Sequence, residues 1–258
     1  MLNKLLSPVL ALGKRWGMKS QWESGVQSSS FAQDEEDEDR ETIGFVHPYT
    51  MTSPERIRAL CSATRYIEDA AIPGAVVECG VWRGGSMMAV ARTLMNRGTP
   101  DRDLYLFDTF EGMSEPGLYD VALTGESARS LLDRAARTQE DVVWCYAPIE
   151  RVAHAMSLTK YPERRIHLVP GMVEETLQET APDRIALLRL DTDWYESTRH
   201  EMEQLFPRLS RGGVLILDDY GHWQGARRAV DEYLRAHHIT LLLHQIDYTG
   251  RMAVKVFE

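Results

Sequence analysis

Ala75-Val-Val-Glu-Cys-Gly-Val-Trp-Arg-Gly-Gly-Ser86 is the stretch that decides the fold. A short β-branched run ends in an acid, passes through a glycine-rich turn and enters a helical pattern near Gly85. Strand, tight turn and helix in that order form the first unit of an open α/β nucleotide-binding sheet. Gly80, Gly84 and Gly85 permit backbone angles and close approaches that a Cβ would block. Their spacing, G-x-x-x-G-G, is not the G-x-G-x-x-G of dinucleotide enzymes, so the helix N-terminus is not obviously arranged for a pyrophosphate. Glu78 at the strand end repels a phosphate and attracts a cation. S-adenosylmethionine, with a sulfonium, an amino group and no phosphate, fits this turn better.

Working outward, strands are expected at about 75–79, 104–108, 166–169, 185–190 and 214–217, with helices between most of them. Residues 239–244 and 252–257 would close the sheet as a hairpin turning near Thr249-Gly250. Together these predict a doubly wound, seven-stranded α/β domain. Ser53 can cap a helix with Pro54 at its first position, and Ile57, Leu60, Cys61, Thr64 and Ile67 keep helical spacing along one face. Residues 111–163 are too long for a simple crossover and read as an insertion beside the site, with helices near 127–138 and 148–159. Upstream, residues 1–44 divide into an apolar segment broken by Pro8 and Gly13, a Ser/Gln/Gly-rich stretch at 19–33 and a charged run at 34–41. This region is expected to be a helix that docks on the domain or on a second subunit, with a membrane-surface helix as the alternative, followed by a mobile linker. The folded domain is expected over 45–258, with the segment around His47 and Tyr49 folding over the site as a lid.

The chain has 258 residues, enough for one large domain with a well-buried core. A net charge of −10 argues against nucleic acid as a partner. The 3 cysteines are far apart, show no metal spacing and read as reduced thiols of a cytoplasmic protein. No apolar run reaches transmembrane length, and no secretory leader is expected.

Three predicted strands end in acids, and in open α/β sheets ligands bind beyond the carboxyl ends of the strands. Asp108 is placed to accept hydrogen bonds from ribose hydroxyls. Asp191 ends the 185–190 strand, and Asp218-Asp219 end the 214–217 strand. Such carboxylates repel one another unless they are protonated or share a cation, and a hard oxygen-only set suits Mg²⁺. Asp193 is as well explained by capping the helix that follows. His47, His154 and His222 are candidate bases, and His47 and His222 flank the predicted site loops.

Four ordered motifs resemble the macrocin O-methyltransferase family. They are Glu78-Cys-Gly-Val-Trp-Arg-Gly-Gly-Ser86, Asp108-Thr-Phe-Glu-Gly-Met113, Leu188-Arg-Leu-Asp-Thr-Asp-Trp-Tyr-Glu-Ser-Thr198 and Gly212-Gly-Val-Leu-Ile-Leu-Asp-Asp-Tyr-Gly221. Tyr49-Thr-Met-Thr-Ser-Pro-Glu-Arg56 is similar too. The resemblance covers about 45–258. The first 40 residues and the insertion carry no matching motif. It implies a class I methyltransferase sheet whose last strand is antiparallel. It also implies S-adenosylmethionine with Glu78, Gly80 and Ser86 at its methionine end, Asp108 on the ribose, Thr109 and Phe110 near the adenosine, and Val173 and Glu174 at the adenine. By the same resemblance Asp191, Asp218 and Asp219 hold the divalent metal, and Asp191 is the general base.

The expected activity is metal-dependent methyl transfer to a hydroxyl of a sugar on a natural product, as in antibiotic biosynthesis, or on a polysaccharide. A sugar-bearing small molecule is the expected partner, and a homo-oligomer the expected assembly. The alternatives are a catechol or phenol O-methyltransferase, a nicotinamide-dependent oxidoreductase and an inactive methyltransferase-like scaffold. Trp194 is expected to be a packing residue.

Overall fold

The computed structural model describes residues 37–135, 138 and 143–257. The expected apolar segment and Ser/Gln/Gly-rich stretch lie outside the described residues. The chain divides after Arg40 into two units. Of the first, the described residues are the opening turn of α1 (Asp37–Val46). The charged run is therefore helical from Asp37, where a linker is expected from the sequence. Asp37, Glu38 and Asp39 occupy that helix's first turn, where negative charge opposes the positive end of the helix dipole. No helix among the described residues is long and apolar enough to cross a membrane.

The second unit is built on a seven-stranded sheet of order β3-β2-β1-β4-β5-β7-β6. The strands are β1 (Ala75–Cys79), β2 (Leu104–Asp108), β3 (Ile166–Pro170), β4 (Ile185–Leu190), β5 (Leu209–Leu217), β6 (His244–Gln245) and β7 (Arg251–Val254). The first five are parallel. β7 runs antiparallel to β5, and β6 antiparallel to β7. This is the class I methyltransferase sheet that the motifs lead one to expect. The chain winds outward from β1 to β3 and then returns to β4 beside β1, so the crevice for ligands opens at the carboxyl ends of β1 and β4.

Helices cover both faces. On one side pack α2 (Pro54–Asp69), α3 (Gly85–Asn96) and α5 (Ile149–Ser157); on the other α6 (Val173–Thr180), α7 (Tyr195–Leu205) and α8 (Gln224–Ala236). The short α4 (Ala128–Arg134) lies in the insertion and is capped by Ser127. Because both faces are buried, strand residues are apolar in near-continuous runs: Val76 enters the first core and Val77 the second. α2 starts as expected, with Ser53 Oγ accepting the Arg56 N–H at 3.2 Å and Ile57, Leu60, Cys61, Thr64 and Ile67 buried.

The final hairpin is shorter than its pattern. Of residues 239–245, His244 and Gln245 alone pair with β7, opposite Met252 and Arg251. Ile239, Leu241 and Leu243 alternate toward the second core as a strand would, but have no ladder to join. Alternation reports which side chains are buried, not whether a neighbouring strand extends far enough to hydrogen-bond.

Candidate active site

Glu78 and Arg189 are charges at the penultimate positions of strands whose other side chains are apolar. They are register partners across β1 and β4, which puts them side by side on one face. Arg189 is 3 % exposed and donates through Nη1 to Glu78 Oε1, lies 2.7 Å from Asp191 Oδ2 through the same nitrogen, and reaches Asp218 Oδ1 at 2.5 Å through Nη2. A buried cation needs this company, because an unpaired one costs several kcal/mol, roughly 3–5 where a partner has been removed. Burial pushes the Glu78 carboxyl up to about 7, against the opposing pull of Arg189. Its second oxygen is buried with no hydrogen-bond partner, an acceptor still open to a ligand. Ser86, on the first turn of α3, lines the same recess as Glu78 and Arg189.

The glycines of the turn are explained by chain packing. A Cβ on Gly80 would stand 2.0 Å from the Asp191 carbonyl oxygen, and one on Gly85 would stand 2.6 Å from both the Tyr49 carbonyl oxygen and Thr50 Cβ. Gly84 has φ +88°, a backbone conformation that favours glycine. The start of α3 is thus covered by the Tyr49-Thr50 segment, which leaves no room there for a pyrophosphate. Asp108 knits the turn from the other side. Its Oδ2 accepts the Val81 and Trp82 N–H groups at 2.6 and 2.9 Å, and its Oδ1 accepts the Phe110 N–H at 2.7 Å. Thr109 Oγ1 stands 3.5 Å from Oδ1 as well, but its one proton goes to the closer Gly112 carbonyl, so of about four acceptor positions one is left for a hydroxyl. Burial still raises its pKa, with the backbone donors pulling the other way.

The other expected donor-site residues divide. Thr109 Oγ1 donates to the Gly112 carbonyl at 2.7 Å and shapes the loop. Phe110, at φ +55°, is buried in the first core, and Val173 is buried in the second. Their side chains therefore support the site from below and do not line it openly. Glu174 Oε1 accepts from Ser197 Oγ at 2.8 Å, and its other carboxylate oxygen is buried without a partner. The Gly171 N–H donates to the Asp108 carbonyl at 3.0 Å, which seats the loop leading into α6, where Val173 and Glu174 stand, beside the β2 end.

Beyond β4 and β5 the acids gather, but not in the expected set. Oxygens of Asp191, Asp193 and Asp219 all lie within 4.8 Å of one another. Asp193 has φ +67°, and that backbone conformation is associated with its joining the group rather than capping α7. Asp218 points elsewhere. One of its oxygens accepts from Arg189 and the other from Arg56 Nη1. Burial raises the Asp191 carboxyl well above its usual range, with Arg189 pulling down and Asp218 and Asp219 pushing further up. Burial and Asp191 push Asp193 up to about 7. Burial, then Asp193 and Asp218, raise Asp219 well above its range. Asp218 goes the other way: burial would raise it, but Arg189 and Arg56 hold it below the usual carboxylate range. Three crowded carboxylates with raised pKa, one of them with an unpartnered buried oxygen on Asp219, fit a hard divalent cation in their donor type and in their need for positive charge.

Residues 114–123 of the insertion line this rim. Asp120 is buried and accepts the N–H groups of Tyr195 at 2.7 Å and Gly117 at 2.6 Å, tying the loop to the start of α7. Trp194 is a packing residue: it is buried, donates from Nε1 to the Ser114 carbonyl at 3.1 Å and meets Trp223 edge-on at 5.0 Å. Leu118 and Leu123 on this loop are exposed. His222 sits between Trp223 and Tyr248, with its pKa lowered by burial and by Arg56. His47 and His154 are exposed.

The residues that the sequence did not single out are Arg56, Asp120 and Arg189. Arg189 had a signal, a lone cation inside Ile-Ala-Leu-Leu-Arg-Leu, which had to find an acid. Arg56 had none, because its partner Asp218 is 162 residues away.

The model of the family described as Macrocin-O-methyltransferase (TylF) matches residues 16–255. A tetracenomycin-C 4'-O-methyltransferase of Streptomyces olivaceus, acting on an 8-demethyl-8-(2,3-dimethoxy-α-L-rhamnosyl) form, is 33 % identical over 219 residues, covering 84 % of this chain and 80 % of that one. The demethyldecarbamoylnovobiocin O-methyltransferase of Streptomyces niveus is 28 % identical over 227 residues, 87 % of this chain and 81 % of that one. Among solved structures, the O-methyltransferase NovP superposes with a TM-score of 0.69 at 28 % identity, covering 81 % of this chain and 83 % of the other.

Proposed function

This chain belongs to the macrocin O-methyltransferase family and is an O-methyltransferase, and we propose that it moves a methyl group from S-adenosylmethionine to a hydroxyl of a sugar on an antibiotic-type natural product, with a divalent cation, Mg²⁺, at the acid rim. The observation that carries this is the convergence of Asp191, Asp193 and Asp219 beside the turn that follows Glu78 and that Asp108 braces. The sugar-bearing acceptor follows from what the relatives act on: their names specify a rhamnosyl tetracenomycin and a decarbamoylnovobiocin.

The donor brings a methyl group already activated on a sulfonium, so the protein's task is alignment. Glu78 offers its open oxygen to the donor's ammonium group, and Asp108 offers its remaining acceptor position to a ribose hydroxyl. A cation at the rim would lower the pKa of the acceptor hydroxyl and fix its direction. Asp191 takes the proton from that hydroxyl as general base, and Arg189 at 2.7 Å favours its ionised form. Asp193 and Asp219 complete the donor set of the rim. The Tyr49-Thr50 segment, packed on Gly85, keeps water from one side of the turn. We also propose a cytoplasmic homo-oligomer, to be checked by cell fractionation and light scattering.

The test is release of S-adenosylhomocysteine, with the demethylated rhamnosyl tetracenomycin and novobiocin precursors as trial acceptors. Magnesium should support it, chelator should stop it, and Asp191→Asn should abolish it while donor binding survives. Turnover that ignores chelator would remove the metal from the scheme. Turnover on a simple catechol but on no sugar would replace the acceptor.

A further inference from the structure

Arg56 belongs to the opening turn of α2, far from the strand ends in sequence, yet its half-buried guanidinium packs between two acids at the rim. Nη1 donates to Asp218 Oδ2, and Nε donates to Asp247 Oδ2 at 2.9 Å. Ser53 Oγ, which caps α2, donates to the same Asp247 oxygen at 2.8 Å. Asp247 in turn organises the last hairpin, accepting the N–H groups of Thr249 and Gly250 at 3.0 and 2.7 Å. On the far side of Asp218, Arg189 Nη2 also donates to Thr52 Oγ1 at 3.1 Å. Both oxygens of Asp218 are therefore committed to guanidinium groups, while its neighbour Asp219 joins Asp191 and Asp193.

We propose that Arg56 is a resident counter-charge of the acid rim, which keeps Asp218 out of the Asp191, Asp193 and Asp219 group, opposes a divalent cation held there and thereby sets the cation's affinity. The inference rests on the metal-dependent reading of the site. Two physical effects act in the same direction. The lone pairs of Asp218 Oδ2 are taken by the Arg56 guanidinium, so Asp218 adds no fourth carboxylate to the cation's donor set. In addition, a fixed positive charge among these carboxylates repels an incoming one at short range in a partly desolvated setting. Arg189 is built into the sheet between Glu78 and Asp218, whereas Arg56 reaches the rim from a helix end and is the exchangeable partner. Without a cation, Arg56 offsets part of the repulsion among Asp191, Asp193, Asp218 and Asp219 and holds the Thr52–Arg56 segment and the hairpin together. Arg56 is thus a positioning residue that acts through Asp218, and it touches no reacting atom.

The experiment measures Mn²⁺ binding to the full chain by electron paramagnetic resonance, with neither donor nor acceptor present. Arg56→Met should bind Mn²⁺ roughly tenfold more tightly than wild type, a change of about 1.4 kcal/mol. Arg56→Lys, which keeps the charge, should stay near wild type. The melting temperature of Arg56→Met should be lower than wild type without cation and should rise further on adding Mn²⁺, a pattern that mere loss of packing would not give. Should Arg56→Met fail to fold, Arg56→Gln retains a hydrogen-bond donor, removes the charge and should shift affinity in the same direction. Wild-type binding with equal or weaker binding by the neutral variants would overturn this role of Arg56 and leave the metal-dependent enzyme standing. Absence of Mn²⁺ binding in every protein would remove the metal and this inference together.

Discussion

Replacing Gly80 by alanine tests how the turn positions Asp191. Gly80 has φ +82°, and an L-residue there costs about 1–2 kcal/mol. The added Cβ would stand 2.0 Å from the Asp191 carbonyl oxygen and 2.5 Å from its carbonyl carbon, whereas ordinary contact begins near 3.4 Å. The difference, 3.4 − 2.0, means that the Asp191 carbonyl must retreat by roughly 1.4 Å or β1 must shift by as much. Such overpacking costs about 1–3 kcal/mol more. The sum, about 2–5 kcal/mol, should lower the melting temperature by roughly 4–20 °C at about 2–4 °C per kcal/mol for a chain of this size. Gly98→Ala is the control: its φ is +74°, but the new Cβ meets nothing within 4 Å, so it carries strain without the clash. Thermal unfolding by circular dichroism should therefore place Gly80→Ala well below Gly98→Ala. Turnover should fall on the order of a hundredfold in Gly80→Ala, because a shift of about 1 Å at a reacting group costs that much. If the two variants melt within about a degree of each other, the contact between Gly80 and Asp191 does not constrain the chain as described. A destabilised Gly80→Ala with normal turnover would show that chemistry tolerates displacement of the Asp191 backbone.

Three further outcomes are expected. Arg189→Met removes the cation shared by Glu78, Asp191 and Asp218 and should destabilise the fold by about 3–5 kcal/mol at pH 8; urea titrations should show the loss shrinking toward pH 5.5 as the stranded acids take up protons, and a loss under about 1 kcal/mol would contradict the burial of that network. Glu78 has its folded pKa raised from 4.5 to about 7, so the folded state holds a proton that the unfolded chain has released, and this residue's contribution to stability declines as pH rises through that window. Glu78→Gln should therefore lose about 2 kcal/mol less than wild type between pH 5.5 and pH 8, and an equally steep or steeper decline in the variant would reverse the sign. Asp108→Ala orphans the N–H groups of Val81, Trp82 and Phe110 and removes the proposed ribose acceptor, so calorimetry should show donor affinity at least roughly tenfold weaker; unchanged affinity would confine Asp108 to holding the turn.

The sequence by itself determined the sheet and the edge on which the chemistry lies. Strands buried on both faces must be written in apolar runs, glycines must stand where backbones meet closely, and in a parallel sheet every strand delivers its last residue to the same rim. Glu78, Asp108, Asp191, Asp218 and Asp219 were legible for that reason. Tertiary structure alone decided how those acids are shared. Pairing Glu78 with Arg189 depends on β1 lying beside β4 in one register, and drawing Asp218 toward Arg56 depends on a helix end arriving from 162 residues away. The backbone at Asp193 turns to φ +67° as its carboxylate joins Asp191 and Asp219, while Phe110 and Val173 are drawn down into the two cores. Pattern along a chain records burial and local geometry. Which charge answers which is settled only when distant segments meet in a low-dielectric interior, where each carboxylate must find a cation, a proton or a hydrogen-bond donor.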